Sequence, residues 1–279
     1  MSKVILITGA SSGIGKSISL FLTSKGYKVY GTCRNPNKYD ISEYALLKCD
    51  ITSSVEIKKT IKYILNIENR IDVLINNAGI GITGPLEETS ETDIKSAFQT
   101  NLLGPIAIIK ECIPSMRENN TGLIINITSV LGYFGIPFRG IYCATKSSLE
   151  IIGEVFSMEL KKFNINVVNV APGDFKTDIA LRRIDSKSNN LSYYTDDYSK
   201  SLKSANKHVE NALNPDLVSK LIYKIINTKN PKIHYKVGQF IQKFSIVLKN
   251  GNFSIPAKNI FNSVAFFGLY KHFLFHFSF

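Results

Sequence analysis

The sequence has few of the residues that build disulfide frameworks and metal sites. Its four cysteines, Cys33, Cys49, Cys112 and Cys143, are scattered and form no CxxC pair. We therefore expect no disulfides, no zinc site and a reducing cytoplasmic location. The four histidines all fall in the last third of the chain. Because no other metal-ligand pattern accompanies them, we predict no metal.

Long hydrophobic runs are also missing. The apolar run Val4–Ile7 is too short for the core of a signal peptide, and a glycine loop rather than a cleavage site follows it. We expect it to form a first β-strand. Residues 263–279 include Lys271 and two histidines, which makes this stretch a poor membrane span.

Acidic residues are nearly absent from the C-terminal part. Residues 200–279 hold twelve lysines but only Glu210 and Asp216 as acids, and eleven aromatic residues lie between Phe240 and Phe279. This composition fits a peripheral contact with an anionic membrane surface. It also fits a helix packed on the core or on a second subunit, and both interpretations stay open. A basic tail alone is too little to predict nucleic-acid binding.

Strand-like and helix-like segments alternate through the rest of the chain. Val4–Thr8 is a continuous apolar run, as expected for a strand buried on both faces, and Gly15–Lys25 has helical spacing. This βαβα order predicts an α/β fold, a doubly wound parallel sheet of the Rossmann type with helices on both faces. Further strands are expected at Lys28–Cys33, Leu46–Cys49, Asp72–Ile75, Gly122–Ile127, Asn166–Val170 and near His234–Gly238, and helices at Ser54–Asn66, Thr92–Thr100 running into Ile106–Met116, Tyr142–Phe163 and Pro215–Ile226.

The domain prediction follows from where this alternation stops. We expect one dinucleotide-binding and catalytic domain over residues 1–238. Within it, the polar segment 179–210 shows no clear period and is predicted to be a substrate lid. Residues 239–279 are predicted to be a basic, aromatic C-terminal extension.

A glycine-rich loop, Thr8-Gly9-Ala10-Ser11-Ser12-Gly13-Ile14-Gly15, joins the first strand to the first helix. Glycines let a pyrophosphate approach the helix N-terminus, where free N–H groups and the positive end of the dipole face the anion. The glycine spacing, Gly9-x3-Gly13-x-Gly15, is not GxGxxG. The loop is not a P-loop either, because a P-loop would need a glycine at position 10, which is Ala10. The loop therefore predicts a dinucleotide site of another type.

This loop resembles the TGxxxGxG signature of the short-chain dehydrogenase/reductase family. Four further features carry the resemblance: the NNAG segment ending at Gly79, Ser129 thirteen residues before Tyr142, the YxxxK pair of Tyr142 and Lys146, and the PGxxxT segment Pro172–Thr177. Residues 79–89 and 137–140 are similar to the hydroxysteroid and retinol-dehydrogenase-like branch. The resemblance implies a dimer or tetramer formed through two long helices.

The resemblance also implies a catalytic tetrad of Asn101, Ser129, Tyr142 and Lys146. Tyr142 is the expected proton donor or acceptor, and Ser129 is expected to orient the substrate carbonyl. A Tyr–Lys pair at i, i+4 shares one helix face, and we expect the Lys146 ammonium to lower the pKa of the phenol. The family assigns to Asn101 a water that links Lys146 to solvent. The predicted cofactor-binding residues are Gly9, Ser11, Ser12, Gly13, Ile14, Gly15, Arg34, Asp50, Ile51, Asn77, Ala78, Gly79, Tyr142, Lys146, Pro172, Gly173 and Thr177.

The end of the second strand bears on the choice between the two nicotinamide cofactors. NAD-preferring relatives tend to place an Asp there, but this chain has Cys33 followed by Arg34. A guanidinium can bind a 2′-phosphate in bidentate fashion, whereas an acid repels it. The sequence therefore favours NADP(H) over NAD(H).

Together these features predict an oxidoreductase that transfers a hydride between NADP(H) or NAD(H) and a ketone or secondary alcohol. The expected substrate is apolar and lipid-like: a steroid, a retinoid or a long-chain keto compound. A small polar or polyketide-type ketone remains an alternative, and a deep apolar pocket between Leu86, Phe138 and the lid would decide against it. A non-catalytic dinucleotide-sensing protein is the third hypothesis, and the complete tetrad disfavours it.

Overall fold

The structure, a computed structural model, describes residues 2–177, 183–186, 193–210 and 212–238. Its strands are β1 Val4–Thr8, β2 Lys28–Cys33, β3 Ala45–Lys48, β4 Val73–Asn76, β5 Ile82–Thr83, β6 Gly122–Ile127, β7 Ile165–Pro172, β8 Ile184–Asp185 and β9 His234–Val237. Its helices are α1 Gly13–Ser24, α2 Ser54–Glu68, α3 Glu91–Phe98, α4 Gly104–Glu118, α5 Gly140–Glu159, α6 Thr195–Glu210 and α7 Asp216–Ile226.

Seven strands form one parallel sheet in the order β3-β2-β1-β4-β6-β7-β9. The chain builds outward from β1 to β3, then returns to place β4 on the other side of β1. Such a reversal in strand order opens a crevice beyond the carboxyl ends of the strands, where ligands bind in folds of this kind. The predicted α/β doubly wound sheet is confirmed.

Each face of the sheet has its own core because successive side chains of a strand point to opposite faces. In β1, Val4 and Leu6 pack with α2 and α4 on one face, while Ile5 and Ile7 pack with α1 and α7 on the other. All five residues of β1 are buried. Covering both faces with helices is what makes these strands read as continuous apolar runs.

A row of asparagines crosses the buried middle of the sheet. The Asn76 amide donates to Asn126 at 3.0 Å, and the Asn126 amide donates to Asn169 at 3.0 Å. The Asn169 amide in turn donates to the backbone carbonyl of Glu150 at 2.8 Å. Fully buried amides hold their neighbours in register because each unmade hydrogen bond is costly. The row thus ties β4, β6 and β7 to the middle of α5.

Several element boundaries differ from the sequence-based expectation. The helix predicted from Tyr142 begins at Gly140 and ends at Glu159, and a 3₁₀ turn covers Lys161–Phe163. The helix expected through Thr92–Met116 is interrupted by a π-helical turn at Gln99–Leu103. β5 and β8 form a small separate parallel pair that the sequence did not predict.

The predicted lid contains α6, which the sequence did not predict. Its buried positions include Tyr198 and Ser201, and Leu202 and Ala205 lie on the same helix face, so the amphipathic pattern is present but carried by few aliphatic residues. Residues 179–182 and 187–192 of the predicted lid lie outside the described part of the chain. The predicted C-terminal extension, residues 239–279, also lies outside it. Within the described residues, no helix is long and apolar enough to cross a membrane.

Candidate active site

A cavity of about 750 Å³ opens at the carboxyl edge of the sheet, where the strand order reverses. This size is typical of small-molecule and cofactor sites, which run to roughly 300–1,000 Å³. Loops that follow β1, β2, β3, β4, β6 and β7 line it. Among the predicted site residues, all line this cavity except Gly15 and Asn101.

The glycine loop is shaped by close approach between backbones. Gly9 has a φ of +66°, and a Cβ there would lie 2.8 Å from the Ala78 Cα. A Cβ on Gly15 would overlap the Gly9 carbonyl and the Asn77 amide. Gly15 is therefore a packing residue behind the loop rather than part of the cavity wall. The bare loop leaves room for an anion at the start of α1, which fits a dinucleotide diphosphate.

Asn77 joins this loop to the end of β4. Its side-chain amide donates to the carbonyls of Thr8 and Gly9 at 2.9 and 3.0 Å. The backbone N–H groups of Asn77 and Ala78 both donate to the Thr8 hydroxyl at 3.0 Å. These bonds fix the loop before any ligand binds.

Positive side chains surround the end of β2. Arg34 and Lys38 both line the cavity beside Cys33. At the next strand, the Asp50 carboxylate accepts bonds from the Thr52 N–H and hydroxyl at 2.9 and 2.7 Å. Asp50 thus shapes its own turn, and Arg34 and Lys38 are cations that line the cavity at the end of β2.

Asn101 lies at the π-helical turn and is fully buried. Its side-chain oxygen accepts from the Ile80 N–H at 2.8 Å, and its amide donates to the Ile80 carbonyl at 2.9 Å and to the Thr145 hydroxyl at 3.2 Å. A Cβ on Gly79 would lie 3.2 Å from the Asn101 oxygen and 3.5 Å from the Lys146 nitrogen. Asn101 therefore braces the wall next to Lys146, and its predicted water-holding role stays a prediction.

Lys146 reaches the cavity from α5 and is only 5% exposed. Its ammonium donates to the Ile127 carbonyl at 2.9 Å and lies 6.0 Å from the centroid of the Tyr142 ring. Burial lowers the pKa of Lys146 to about 8, and the Glu150 carboxylate opposes this change. Lys146 is thus a cation at neutral pH that loses its proton more readily than an exposed lysine.

The side chains of Tyr142 and Ser129 are hydrogen-bonded to each other in the cavity wall. Burial raises the pKa of Tyr142, while its hydrogen bond with Ser129 and the charge of Arg139 act in the opposite direction. The expectation that Lys146 brings this pKa below its ordinary value is therefore wrong. Desolvation of the phenolate outweighs the nearby charges, so the phenol keeps its proton at neutral pH.

The substrate side of the cavity differs from the expectation. Leu86 and Phe138 do not line it. Phe138 packs edge-on against Tyr194 and Tyr198 of the predicted lid, with ring centroids 6.2 and 5.4 Å apart. The cavity wall also includes apolar residues and two arginines: Ile80, Val130, Leu131, Ile136, Arg139 and Arg183.

Sequence reasoning missed the charged residues around the tetrad. Arg139 lies three residues before Tyr142, at the N-cap of α5. Glu150 lies four residues after Lys146, within the same helix. The four-residue spacing of Glu150 from Lys146 was the available signal.

All four cysteines are free and buried. In the described part of the chain, no three His, Cys, Asp or Glu side chains are grouped as metal ligands.

Comparisons with known proteins agree with this geometry. The family model for short chain dehydrogenases matches residues 3–187. The chain is 39% identical over 241 residues to a 3-ketodihydrosphingosine reductase of Bacteroides thetaiotaomicron, covering 86% of this chain and 89% of that protein. It is 30% identical over 258 residues to retinol dehydrogenase 8 of Bos taurus, covering 85% and 81%.

Solved structures share this fold. ElxO with NADP bound is 27% identical, with a TM-score of 0.69 over 85% of this chain and 97% of that one. A short chain dehydrogenase/reductase from Burkholderia phymatum, solved in complex with NAD, is 22% identical and shares the fold, with a TM-score of 0.74 over 84% of this chain and 88% of that one. With its parallel sheet, its glycine loop and these relatives, the chain belongs to the short-chain dehydrogenase/reductase family of oxidoreductases, which act on CH–OH and keto groups.

Proposed function

We propose that this protein is an NADP(H)-dependent reductase or dehydrogenase of a long-chain, lipid-like ketone and its secondary alcohol. The observation that carries the proposal is the convergence of Ser129, Tyr142 and Lys146 on one cavity wall. The cavity also contains the glycine loop, which gives room for a dinucleotide next to these groups.

The states of the side chains favour proton donation to a reduced substrate. Ser129 and Tyr142 donate hydrogen bonds to the ketone oxygen, where negative charge develops. Because burial raises the pKa of Tyr142, the phenol holds a proton that it can deliver to that oxygen. The Lys146 ammonium stabilises the phenolate that remains. A nicotinamide dinucleotide bound here supplies the hydride, and the same groups serve the reverse reaction.

Two relatives support an apolar substrate, since their names refer to a keto sphingoid base and to retinol. Ile80, Val130, Leu131 and Ile136 supply apolar wall close to the tetrad.

A second candidate substrate class is a polar or anionic keto compound. Arg139 and Arg183 in the cavity wall favour it, because burial and the charge of Arg183 both lower the pKa of Arg139. An anionic substrate would relieve that repulsion.

Tyr142→Phe tests the proposed chemistry. Removing the phenolic hydroxyl removes the proton donor, so kcat for NADPH-driven ketone reduction should fall by about 10²- to 10⁴-fold. NADPH binding, followed by fluorescence titration, should change little. Tyr63→Phe, on the outer face of α2, is the matched control and should keep full activity. A Tyr142→Phe enzyme with undiminished turnover would remove the basis of the proposal.

The substrate class is tested by a panel of ketones under the same assay. 3-Ketodihydrosphingosine and long-chain ketones should give a higher kcat/KM than short ketones of equal polarity. A 3-oxo fatty acid of matched length represents the anionic alternative. If that acid is the better substrate, the arginines rather than the apolar wall define the substrate class.

Arg34→Ala tests the cofactor preference. A hydrogen-bonded guanidinium–phosphate contact contributes about 1.5–3 kcal/mol, so KM for NADPH should rise by roughly ten- to hundredfold. KM for NADH, which lacks the phosphate, should stay nearly constant. Arg117→Ala, on a surface arginine outside the cavity, is the control. Equal losses with both cofactors would show that Arg34 does not read the 2′-phosphate.

We further propose a homodimer or homotetramer formed through α5. Ile151, Val155 and Met158 share one exposed face of this helix, with Ile151 57% and Met158 70% exposed. Met158→Glu should convert the oligomer to monomer in light scattering coupled to gel filtration, because a charge would be buried at the contact. Val55→Glu, at an exposed apolar position of α2, should leave the assembly intact. A wild-type monomer would contradict the proposal.

A further inference from the structure

A polar cluster lies behind the active site, on the side of Lys146 away from the cavity. Its centre is Glu150, one turn beyond Lys146 on α5 and only 5% exposed. Glu150 is absent from the cavity wall. A carboxylate buried at this depth needs partners that offset its lost hydration.

The Glu150 carboxylate has such partners on two other elements. One oxygen accepts a hydrogen bond from the Thr128 hydroxyl. The other lies 3.0 Å from the His234 Nδ1 of β9. Thr128 directly precedes Ser129, and Lys146 donates to the carbonyl of Ile127. One short segment, residues 127–129, is therefore held by Lys146 from one side and by Glu150 from the other.

The cluster reaches the surface through His234. The second ring nitrogen of His234 lies 3.1 Å from the carboxylate of Glu154, whose side chain is 47% exposed. Each ring nitrogen of His234 therefore faces a carboxylate. The charged or titratable groups that face Glu150 come from three elements: Lys146 and Glu154 on α5, Tyr133 after β6, and His234 and Lys236 on β9.

We propose that Glu150 is a positioning residue for the reaction, which keeps Lys146 charged and fixes the segment that carries Ser129. This inference rests on the proposed function, since it concerns the same proton donor and its lysine. Glu150 does not line the cavity, so it acts on the site through its charge near Lys146 and its hydrogen bond with Thr128.

The effect on Lys146 has a definite sign. A carboxylate nearby favours the ammonium form, and the Glu150 charge raises the pKa of Lys146 against the larger effect of burial. Without that charge, burial is less opposed and Lys146 loses its proton at a lower pH. Reduction requires the ammonium, so the alkaline decline in activity should move with it.

The experiment is the pH profile of kcat/KM for NADPH-driven ketone reduction in Glu150→Gln. The amide has the same shape and can still meet Thr128 and His234. The alkaline limb of this profile, where kcat/KM declines, should lie about one pH unit lower in Glu150→Gln than in wild type. The loss relative to wild type should then be about fivefold at pH 8 and less than about twofold at pH 6. A loss that is equal at all pH values, with the limb unmoved, would overturn the proposal.

Glu154→Gln is the matched control. It lies on the same helix and contacts the same histidine, but its exposed carboxylate is one turn further from Lys146. Its limb should coincide with that of wild type, and a displacement equal to that of Glu150→Gln would contradict the proposal.

If Glu150→Gln does not yield folded protein, Glu150→Asp takes its place. It keeps the charge, so its limb should stay at the wild-type position even where the rate falls, and a displaced limb would count against the proposal. Tyr142→Phe in parallel separates the two claims. An active Tyr142→Phe enzyme would refute the proposed function, whereas an inactive one with an unmoved Glu150→Gln limb would refute only the role of Glu150.

Discussion

The site depends on one buried cation. Lys146 is almost completely removed from water, yet its ammonium has to remain charged beside Tyr142. Burying an ammonium is unfavourable unless dipoles and opposite charges surround it. Here the Ile127 carbonyl accepts its hydrogen bond, and the Glu150 carboxylate lies one turn behind it. These groups come from the end of β6 and from α5, so the sheet and its longest described helix must meet correctly for the lysine to work.

The fold brings the end of β6 and helix α5 together at the cavity. The reversal of strand order between β1 and β4 opens the crevice, and the glycine loop and Asn77 build its floor. The buried asparagine row carries the register of β4, β6 and β7 through to the backbone of Glu150. Because each amide in that row is buried, displacing one strand would cost hydrogen bonds in the next. The cavity wall that carries Ser129, Tyr142 and Lys146 is thus held by the core rather than by surface loops.

Much of this could be predicted from sequence because the signals are local. Apolar runs such as Val4–Thr8 indicated the parallel strands, and the glycine loop between β1 and α1 indicated a dinucleotide site. Non-local features were missed. Glu150 reads as an ordinary charged residue on a helix, and its burial depends on His234, 84 positions later. The predicted lowering of the Tyr142 pKa was wrong, because desolvation of the phenolate depends on the whole surrounding fold. Helix α6 was missed because few aliphatic residues mark its buried face, although their spacing is helical.

The most direct test of the buried-cation account compares the pH dependence of ketone reduction in wild type and Lys146→Arg. Because burial lowers the pKa of Lys146 to about 8, the wild-type kcat/KM should decline above about that pH as the ammonium is lost. An arginine stays protonated throughout this range, so the variant, though slower, should show no decline there until Tyr142 itself ionises. The same decline in both proteins would contradict the account, because the limiting proton would then not belong to Lys146.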